Sequence, residues 1–164
     1  MTTDPMTTDR QSADRWAIME LKHRYVRGVD LRDWDGVAAT LAPEMTASYR
    51  PDLVTEGAEA LVAELRSRLD EHRITVHQLG HPSIEIDGDR ATATWTMSDR
   101  TICTDIGYVV EGASVSHDSY RRDPDRGWLV TAIRYDRFCE TTVSFQDMPS
   151  FDVRATPYQM LDLP

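Results

Sequence analysis

The stretch IEIDGDRATATWTMS, residues 84–98, decides the fold class of this chain. In its second half, polar Thr and Ser alternate with the apolar residues Ala91, Ala93, Trp95 and Met97. Strict alternation is the period of a β-strand that buries one face. The Asp-Gly-Asp turn at 87–89 reverses the chain just before this strand. Residues 84–98 therefore predict a β-hairpin with one apolar face.

Helical periodicity precedes this hairpin, and further strands follow it. Apolar residues recur at offsets of three and four in two segments, Ile18, Leu21, Tyr25 and Val29, and then Ala58, Leu61, Val62, Leu65 and Leu69. Ser12 or Asp14 can cap the first helix, and Asp33 can cap a short helix over 34–41. Further strands are predicted at 45–49, 108–121 and 128–138. Three helices followed by a long antiparallel meander predict an α+β fold in which the sheet curls around the helices.

Length and composition predict one domain with flanking segments. The chain has 164 residues, of which 40% are hydrophobic, enough for one sizeable core. Residues 1–11 are too polar to pack and are expected to be disordered. Residues 12–143 form the predicted domain. Residues 144–164 contain three prolines and scattered aromatic residues, and we expect this tail to pack on a neighbouring subunit.

The charge of the chain argues against two classes of partner. The formal net charge is -10 at pH 7, and both nucleic acid and an anionic membrane surface require a basic face. The sequence has no apolar stretch of about 18 residues, and its first ten residues lack the layout of a signal peptide. We therefore expect a cytoplasmic protein that binds neither nucleic acid nor membrane.

The cysteines give no sign of a metal site. Cys103 and Cys139 lie on predicted strands, far from any second Cys or His at ligand spacing, and in a reducing compartment both are expected to be small core residues. No phosphate-binding loop or Gly-rich dinucleotide motif is present either. No metal and no cofactor is predicted.

Asp30 and His77 are the residues with the clearest chemical potential. Asp30 follows Tyr25 by five residues at the end of the first predicted helix. A carboxylate hydrogen-bonded to one imidazole nitrogen fixes the tautomer and leaves the other nitrogen as a general base. Each residue also has a structural alternative, because an Asp at a helix end is often a cap and a His in a strand is often a satisfied structural group.

Short motifs spread over residues 13–140 carry a family resemblance. The motifs are YVRGVD at 25–30, DWD at 33–35, LAP at 41–43, SYR at 48–50, TVH at 75–77, SYRR at 119–122 and GW at 127–128. Together they resemble the SnoaL-like branch of the nuclear transport factor 2-like superfamily. Within it they are most similar to the group of scytalone dehydratase, bile-acid dehydratase and hexachlorocyclohexane dehydrochlorinase. The resemblance implies a cone-shaped α+β barrel with a deep pocket between the curled sheet and the first helices.

The resemblance also implies roles for individual residues. Asp30 and His77 fall where those enzymes keep an Asp-His dyad. Tyr49 stands at the position of a tyrosine that helps to bind the substrate carbonyl, and Tyr25 matches the tyrosine that precedes the aspartate in the bile-acid enzyme. Arg134 matches a pocket arginine of the dehydrochlorinase, although it could instead pair with a nearby Asp.

Three further residues are candidates for substrate binding. The second pocket histidine of scytalone dehydratase maps near Ala113, where this chain has none, so His117 on the same strand is a substitute of uncertain role. Trp95 and Met97 can serve as substrate wall or as core, because one face of a hollow barrel does both.

The favoured function is that of a cofactor-independent dehydratase. His77, held by Asp30, would remove an acidic proton from a small apolar polyketide, aromatic or steroid-like substrate, and water would then leave. An isomerase or cyclase uses the same residues, and a non-catalytic small-molecule-binding module has the same fold. We also expect a homo-oligomer, with a trimer favoured over a dimer, because the related dehydratases are commonly trimers.

Overall fold

The computed structural model describes residues 5–50 and 53–153. The helices are α1 (Pro5–Leu31), α2 (Trp34–Ala39) and α3 (Ala58–Arg68). The strands are β1 (Leu41–Arg50), β2 (Leu53–Glu56), β3 (Arg73–Leu79), β4 (Ser83–Asp87), β5 (Arg90–Cys103), β6 (Tyr108–Asp123) and β7 (Gly127–Ser144). A short 3-10 helix, Phe145–Asp147, follows β7.

The seven strands form one curved sheet against which the helices pack. Its order is β2, β1, β7, β6, β5, β3, and β4 also pairs with β5. The predicted α+β class and the cone-like curved sheet are confirmed. The sheet is not entirely antiparallel, however, because β1 runs parallel to β7, with Ala47 opposite Ile133. The edge strands β2 and β3 do not pair with each other within the described residues, so the cone stays open.

The alternation of apolar and polar residues on β5, from which the hairpin was predicted, separates the buried face of the sheet from its exposed face. On β5 the residues Ala91, Ala93, Trp95 and Met97 are all buried, whereas the intervening Thr and Ser side chains are exposed. The parallel pairing of β1 with β7 could not be predicted in this way, because alternation has the same period in parallel and antiparallel strands.

The start of α1 differs from the prediction. The described part of the helix already includes Pro5, so the helix does not begin after Ser12 or Asp14. Asp14 is a buried helical residue that accepts a hydrogen bond from Trp128 Nε1 at 3.2 Å. Residues 5–11 therefore belong to α1 and are not disordered, whereas residues 1–4 lie outside the described residues.

The other end of the chain also continues beyond the predicted strand. β7 extends to Ser144, and the Phe145 ring then packs against Phe151 with centroids 5.0 Å apart. Most of the predicted tail, residues 154–164, lies outside the described residues.

Cys139 is exposed near the end of β7, so its predicted place in the core was wrong, whereas Cys103 is buried. No layer of the described structure covers Cys139.

A buried ion pair joins α1 to the centre of the sheet. Lys22 Nζ on α1 lies 2.7 Å from Asp118 Oδ2 on β6, and both side chains are fully buried. Asp118 also accepts hydrogen bonds from Ser116 Oγ at 2.6 Å and from Tyr120 OH at 2.7 Å. Trp95 Nε1 donates in turn to Tyr120 OH at 3.1 Å. The network links two charges and three neutral polar groups, so that every member has a partner.

We expect Lys22→Met to lower the free energy of unfolding by about 3–5 kcal/mol, because it leaves the buried Asp118 carboxylate without its counter-charge. The double variant Lys22→Met/Asp118→Asn should lose less, since the amide is neutral, its oxygen still accepts from Ser116, and its NH2 group can donate to the Tyr120 hydroxyl. Urea unfolding followed by circular dichroism measures both. A loss below about 1 kcal/mol in the single variant would contradict the anchoring role.

Candidate active site

A cavity of about 490 Å³ opens between the inner face of the sheet and the helices. Its deep wall comes from Tyr25 of α1, Tyr49 of β1 and Tyr135 of β7. Its mouth is formed by exposed residues near the ends of β1, α3 and β7, namely Arg50, Arg68, Arg137 and Glu140. The cavity therefore runs from a deep wall of tyrosine rings to a charged opening.

His77 and Asp30 are in direct contact at the side of this cavity. His77 is an inward-facing residue of β3 and lines the cavity, with its Nδ1 2.6 Å from Asp30 Oδ1. The His77 backbone N–H donates to the other carboxylate oxygen, Oδ2, at 2.9 Å. The two bonds fix the carboxylate relative to the strand. Because Nδ1 is engaged by Asp30, Nε2 is the imidazole nitrogen that remains for a ligand in the cavity.

The three tyrosines of the deep wall form a contiguous cluster. The hydroxyls of Tyr25 and Tyr49 form a short hydrogen bond. The ring of Tyr49 packs edge-on against that of Tyr135, with centroids 4.7 Å apart. Lys22 Nζ lies 5.4 Å from the centroid of the Tyr25 ring and 5.5 Å from that of Tyr135. The buried ion pair thus supports the tyrosine cluster from behind.

Burial sets the protonation state of this cluster. It raises the pKa of Tyr25, Tyr49 and Tyr135 above the usual value for a phenol, since a phenolate would lose its hydration there. The nearby Asp118 carboxylate raises the pKa of each phenol further. All three hydroxyls are therefore neutral at physiological pH and able to donate hydrogen bonds.

Arg137 is the arginine of β7 that lines the cavity. Its Nη2 donates to both oxygens of Asp99 on β5, at 2.8 and 3.0 Å. Its guanidinium lies over Gly112 of β6, where any Cβ would overlap it. Sequence reasoning missed both Arg137 and Asp99. The sequence could have predicted that Asp99 faces inward, because Asp99 continues the alternation of the inward residues Trp95 and Met97 on β5.

Arg134 and His117 do not reach the cavity, which corrects their assignment as substrate-binding residues. Both lie on the outer face of the sheet, where the carboxylate of Asp136 contacts Arg134 Nη1 at 2.8 Å and His117 Nε2 at 3.0 Å. The register of β6 and β7 shifts between Ser119 and Tyr120, which inserts one extra residue into β7. Beyond a bulge the inward and outward positions exchange. Arg134 was assigned to the pocket from the family resemblance, and the extra residue in β7 places it on the outer face instead.

Trp95 and Met97 separate into different roles. Met97 lines the cavity, whereas Trp95 is fully buried beside Tyr120 and does not line it. Trp95 is therefore core, which corrects its assignment as a substrate-binding residue.

Among residues 5–50 and 53–153, no group of three or more His, Cys, Asp or Glu side chains could hold a metal ion. No helix in those ranges is long and apolar enough to cross a membrane.

A family model describing a SnoaL-like domain matches residues 10–134, which hold the dyad and nearly the whole cavity wall. The chain belongs to the SnoaL-like family. The resemblance carried by the short motifs is thus confirmed over most of the chain.

Solved structures place this SnoaL-like chain in the NTF2-like fold. A candidate scytalone dehydratase from Novosphingobium aromaticivorans has a TM-score of 0.75 at 18% identity, covering 91% of this chain and 95% of its own. Hexachlorocyclohexane dehydrochlorinase LinA-type3 from Novosphingobium barchaimii has a TM-score of 0.74 at 16% identity, covering 84% and 94%. An NTF2-like superfamily protein from Salmonella enterica has a TM-score of 0.73 at 17% identity, covering 79% and 94%. At these identities the likeness concerns the fold.

We expect the folded SnoaL-like domain to lose stability as the pH rises above about 10. The buried phenols have a higher pKa in the folded than in the unfolded chain, so above pH 10 the unfolded state releases protons that the folded state retains. Absorbance at 295 nm follows the formation of phenolate. Phenolate from Tyr25 and Tyr49 should appear only with the loss of the circular dichroism signal. Ionisation of all tyrosines near pH 10 in the folded protein would contradict this prediction.

Proposed function

We propose that this SnoaL-like protein is a cofactor-independent lyase of the dehydratase type, with His77 as general base and Asp30 as the residue that orients it. The observation that carries this proposal is the 2.6 Å contact between His77 Nδ1 and Asp30 Oδ1 at the cavity wall. An imidazole held in this way presents Nε2 in one tautomer and one direction, as proton abstraction from carbon requires. Two of the similar proteins are named for elimination reactions, one as a dehydratase and one as a dehydrochlorinase.

In the proposed reaction, His77 Nε2 removes a proton from the carbon next to a carbonyl group. The C–H electron pair forms the new double bond, and Asp30 stabilises the imidazolium that results. The C–O bond at the neighbouring carbon breaks, and the leaving hydroxide takes a proton from a tyrosine hydroxyl to leave as water. The imidazolium proton then returns through solvent to the phenolate, so the cycle closes without an oxidant, a reductant or a metal ion.

The tyrosine cluster supplies the electrophilic side of this mechanism. The hydroxyls of Tyr25 and Tyr49 are neutral donors at the deep wall of the cavity. Donors fixed before the reaction stabilise the negative charge that develops on the carbonyl oxygen. One of them can also protonate the leaving hydroxide. Tyr135 supports Tyr49 through its ring and was not anticipated from the sequence.

The substrate class follows from the size and lining of the cavity. A volume of about 490 Å³ accommodates a small polyketide, an aromatic compound or a compact steroid-like molecule. The tyrosine rings of the deep wall and the Met97 side chain suit a substrate whose reacting end is apolar. Isomerisation or cyclisation would use the same base and donors, because the outcome depends on whether the substrate carries a leaving group.

We expect His77→Ala to reduce turnover by a factor of about 10² to 10⁴, because the general base is removed while the cavity remains. Asp30→Asn should approach the same loss, and the double variant should be little worse than either single one, since the two residues act as a unit. Tyr49→Phe should lose about tenfold to a hundredfold. The measurement is the appearance of conjugated product from a panel of β-hydroxy ketones, followed at single turnover.

His117→Ala is the matched control for this series, because it removes the same side chain from the outer face of the same sheet. It should turn over at the native rate. Native rates in both dyad variants would eliminate the Asp-His mechanism. Ligand binding by the native protein with no turnover of any compound in the panel would favour the non-catalytic binding module instead. Loss of turnover in His117→Ala would move the base to that residue.

We further propose that the protein is a homo-oligomer, with a trimer favoured. The outer face of the sheet carries a depression lined by small polar and apolar side chains, including Thr46, Thr92 and Ala132, with His117 and Arg134 at the same site. No described helix covers this face, which makes it available to a second copy. Light scattering coupled to size-exclusion chromatography should give about three times the 18.7 kDa chain mass. A monomer at micromolar concentration would contradict the assembly.

A further inference from the structure

The distribution of charge around the cavity differs from that of the whole chain. The sequence has 28 acidic residues against 18 Lys and Arg. The cavity wall reverses this ratio, with Asp99, Glu140 and the Asp30 of the dyad against four guanidinium groups. The four are Arg50, Arg68, Arg73 and Arg137. An acidic protein thus concentrates positive charge at the one cavity that contains the dyad.

The arginines come from four different elements and converge on the mouth. Arg50 ends β1, Arg68 ends α3, Arg73 begins β3, and Arg137 lies on β7. Arg73 and His77 are four residues apart on β3, which separates their Cα atoms by about 13 Å. Arg73 therefore lies along the cavity wall from the dyad and not on top of it, whereas Arg50 and Arg68 lie at the charged opening.

The contacts of these side chains divide them into two groups. Arg137 is neutralised within the cavity wall, since it pairs with Asp99 at 2.8 Å and with Glu140 at 3.2 Å. The described carboxylates that contact Arg68 and Arg73 lie outside the wall. Arg68 Nε contacts Glu64 one turn earlier on α3, at 2.5 Å, and Arg73 contacts Asp105. A guanidinium has five N–H donors in a fixed fork, so one carboxylate does not exhaust it.

We propose that the substrate of this site carries an anionic group, a carboxylate or a phosphate, that binds to Arg50 and Arg68 at the mouth while its apolar part reaches His77 and the tyrosines. This proposal rests on the proposed function, because it names the substrate class of the same cavity. Guanidinium groups bind both kinds of anion with charge-assisted, often bidentate hydrogen bonds. The anion would fix the depth at which the reacting carbon meets His77 Nε2.

Two probes of nearly equal shape test the proposal without any turnover. The first is 8-anilinonaphthalene-1-sulfonate, and the second is N-phenyl-1-naphthylamine, which lacks the sulfonate. Fluorescence titration of each into native protein and into Arg50→Gln, Arg68→Gln and the double variant gives their dissociation constants. Arg66→Gln on the same helix and Arg134→Gln on the outer face remove the same charge away from this cavity and serve as matched controls.

We expect the double variant to weaken the anionic probe about tenfold or more and to leave the neutral probe within about twofold of native. The controls should bind both probes like the native protein. Retained binding of the neutral probe shows that the variant cavity is folded. Equal weakening of both probes, an unchanged anionic probe, or equal weakening in the controls would each overturn the proposal.

Carboxylate and phosphate analogues as competitors then distinguish the two anions. Naphthoate and naphthyl phosphate should each displace the sulfonate probe from the native protein, and the tighter competitor identifies the preferred group. Displacement by neither would overturn the proposal. Because no probe reacts, failure here leaves the Asp30 and His77 variants as an independent test of the elimination mechanism.

Discussion

The buried pair of Lys22 and Asp118 is the interaction on which the rest of the structure depends. It crosses from α1 to the middle of β6 at 2.7 Å, in a region where both side chains are fully buried. Tyr25 follows Lys22 by almost one turn of the helix, and Asp30 follows by a little more than two. Because Lys22 is fixed on the sheet, α1 places the Tyr25 side chain at the deep wall of the cavity and Asp30 within hydrogen-bonding distance of His77. A slide of α1 by one residue would break the ion pair and the dyad together.

The fold class and the inner face of β5 were predictable because they depend on local periodicity. The dyad contact agrees with the spacing of Asp30 and His77, and its catalytic role stays a proposal. The face of Arg134 was not predictable, since the extra residue in β7 leaves no mark in the alternation of Trp128 and the residues after it. Lys22 was also missed, because a single lysine in a helix gives no sequence signal of complete burial.

The cavity combines two environments that favour different parts of a ligand. At the deep wall, burial keeps the phenols of Tyr25 and Tyr49 neutral and the space largely apolar. At the mouth, guanidinium groups meet solvent, where charge is well hydrated. Between them, His77 and Asp30 are about one-fifth exposed. A base in this intermediate position can exchange its proton with water between turnovers and still be shielded once a ligand fills the cavity.

The two bulges of β7 also bear on how this scaffold can change in length. A second register shift, between Ala113 and Ser114 of β6, adds another extra residue to β7 near Phe138. Between the two bulges, Ile133, Tyr135 and Arg137 face inward while Arg134 and Asp136 face outward. Deleting the extra residue of the first bulge would leave the residues on both sides of it opposite the same partners on β6, and therefore on the same faces of the sheet. The bulges thus allow the length of β7 to vary during evolution while the side chains that face the cavity, Tyr135 and Arg137 among them, keep their places.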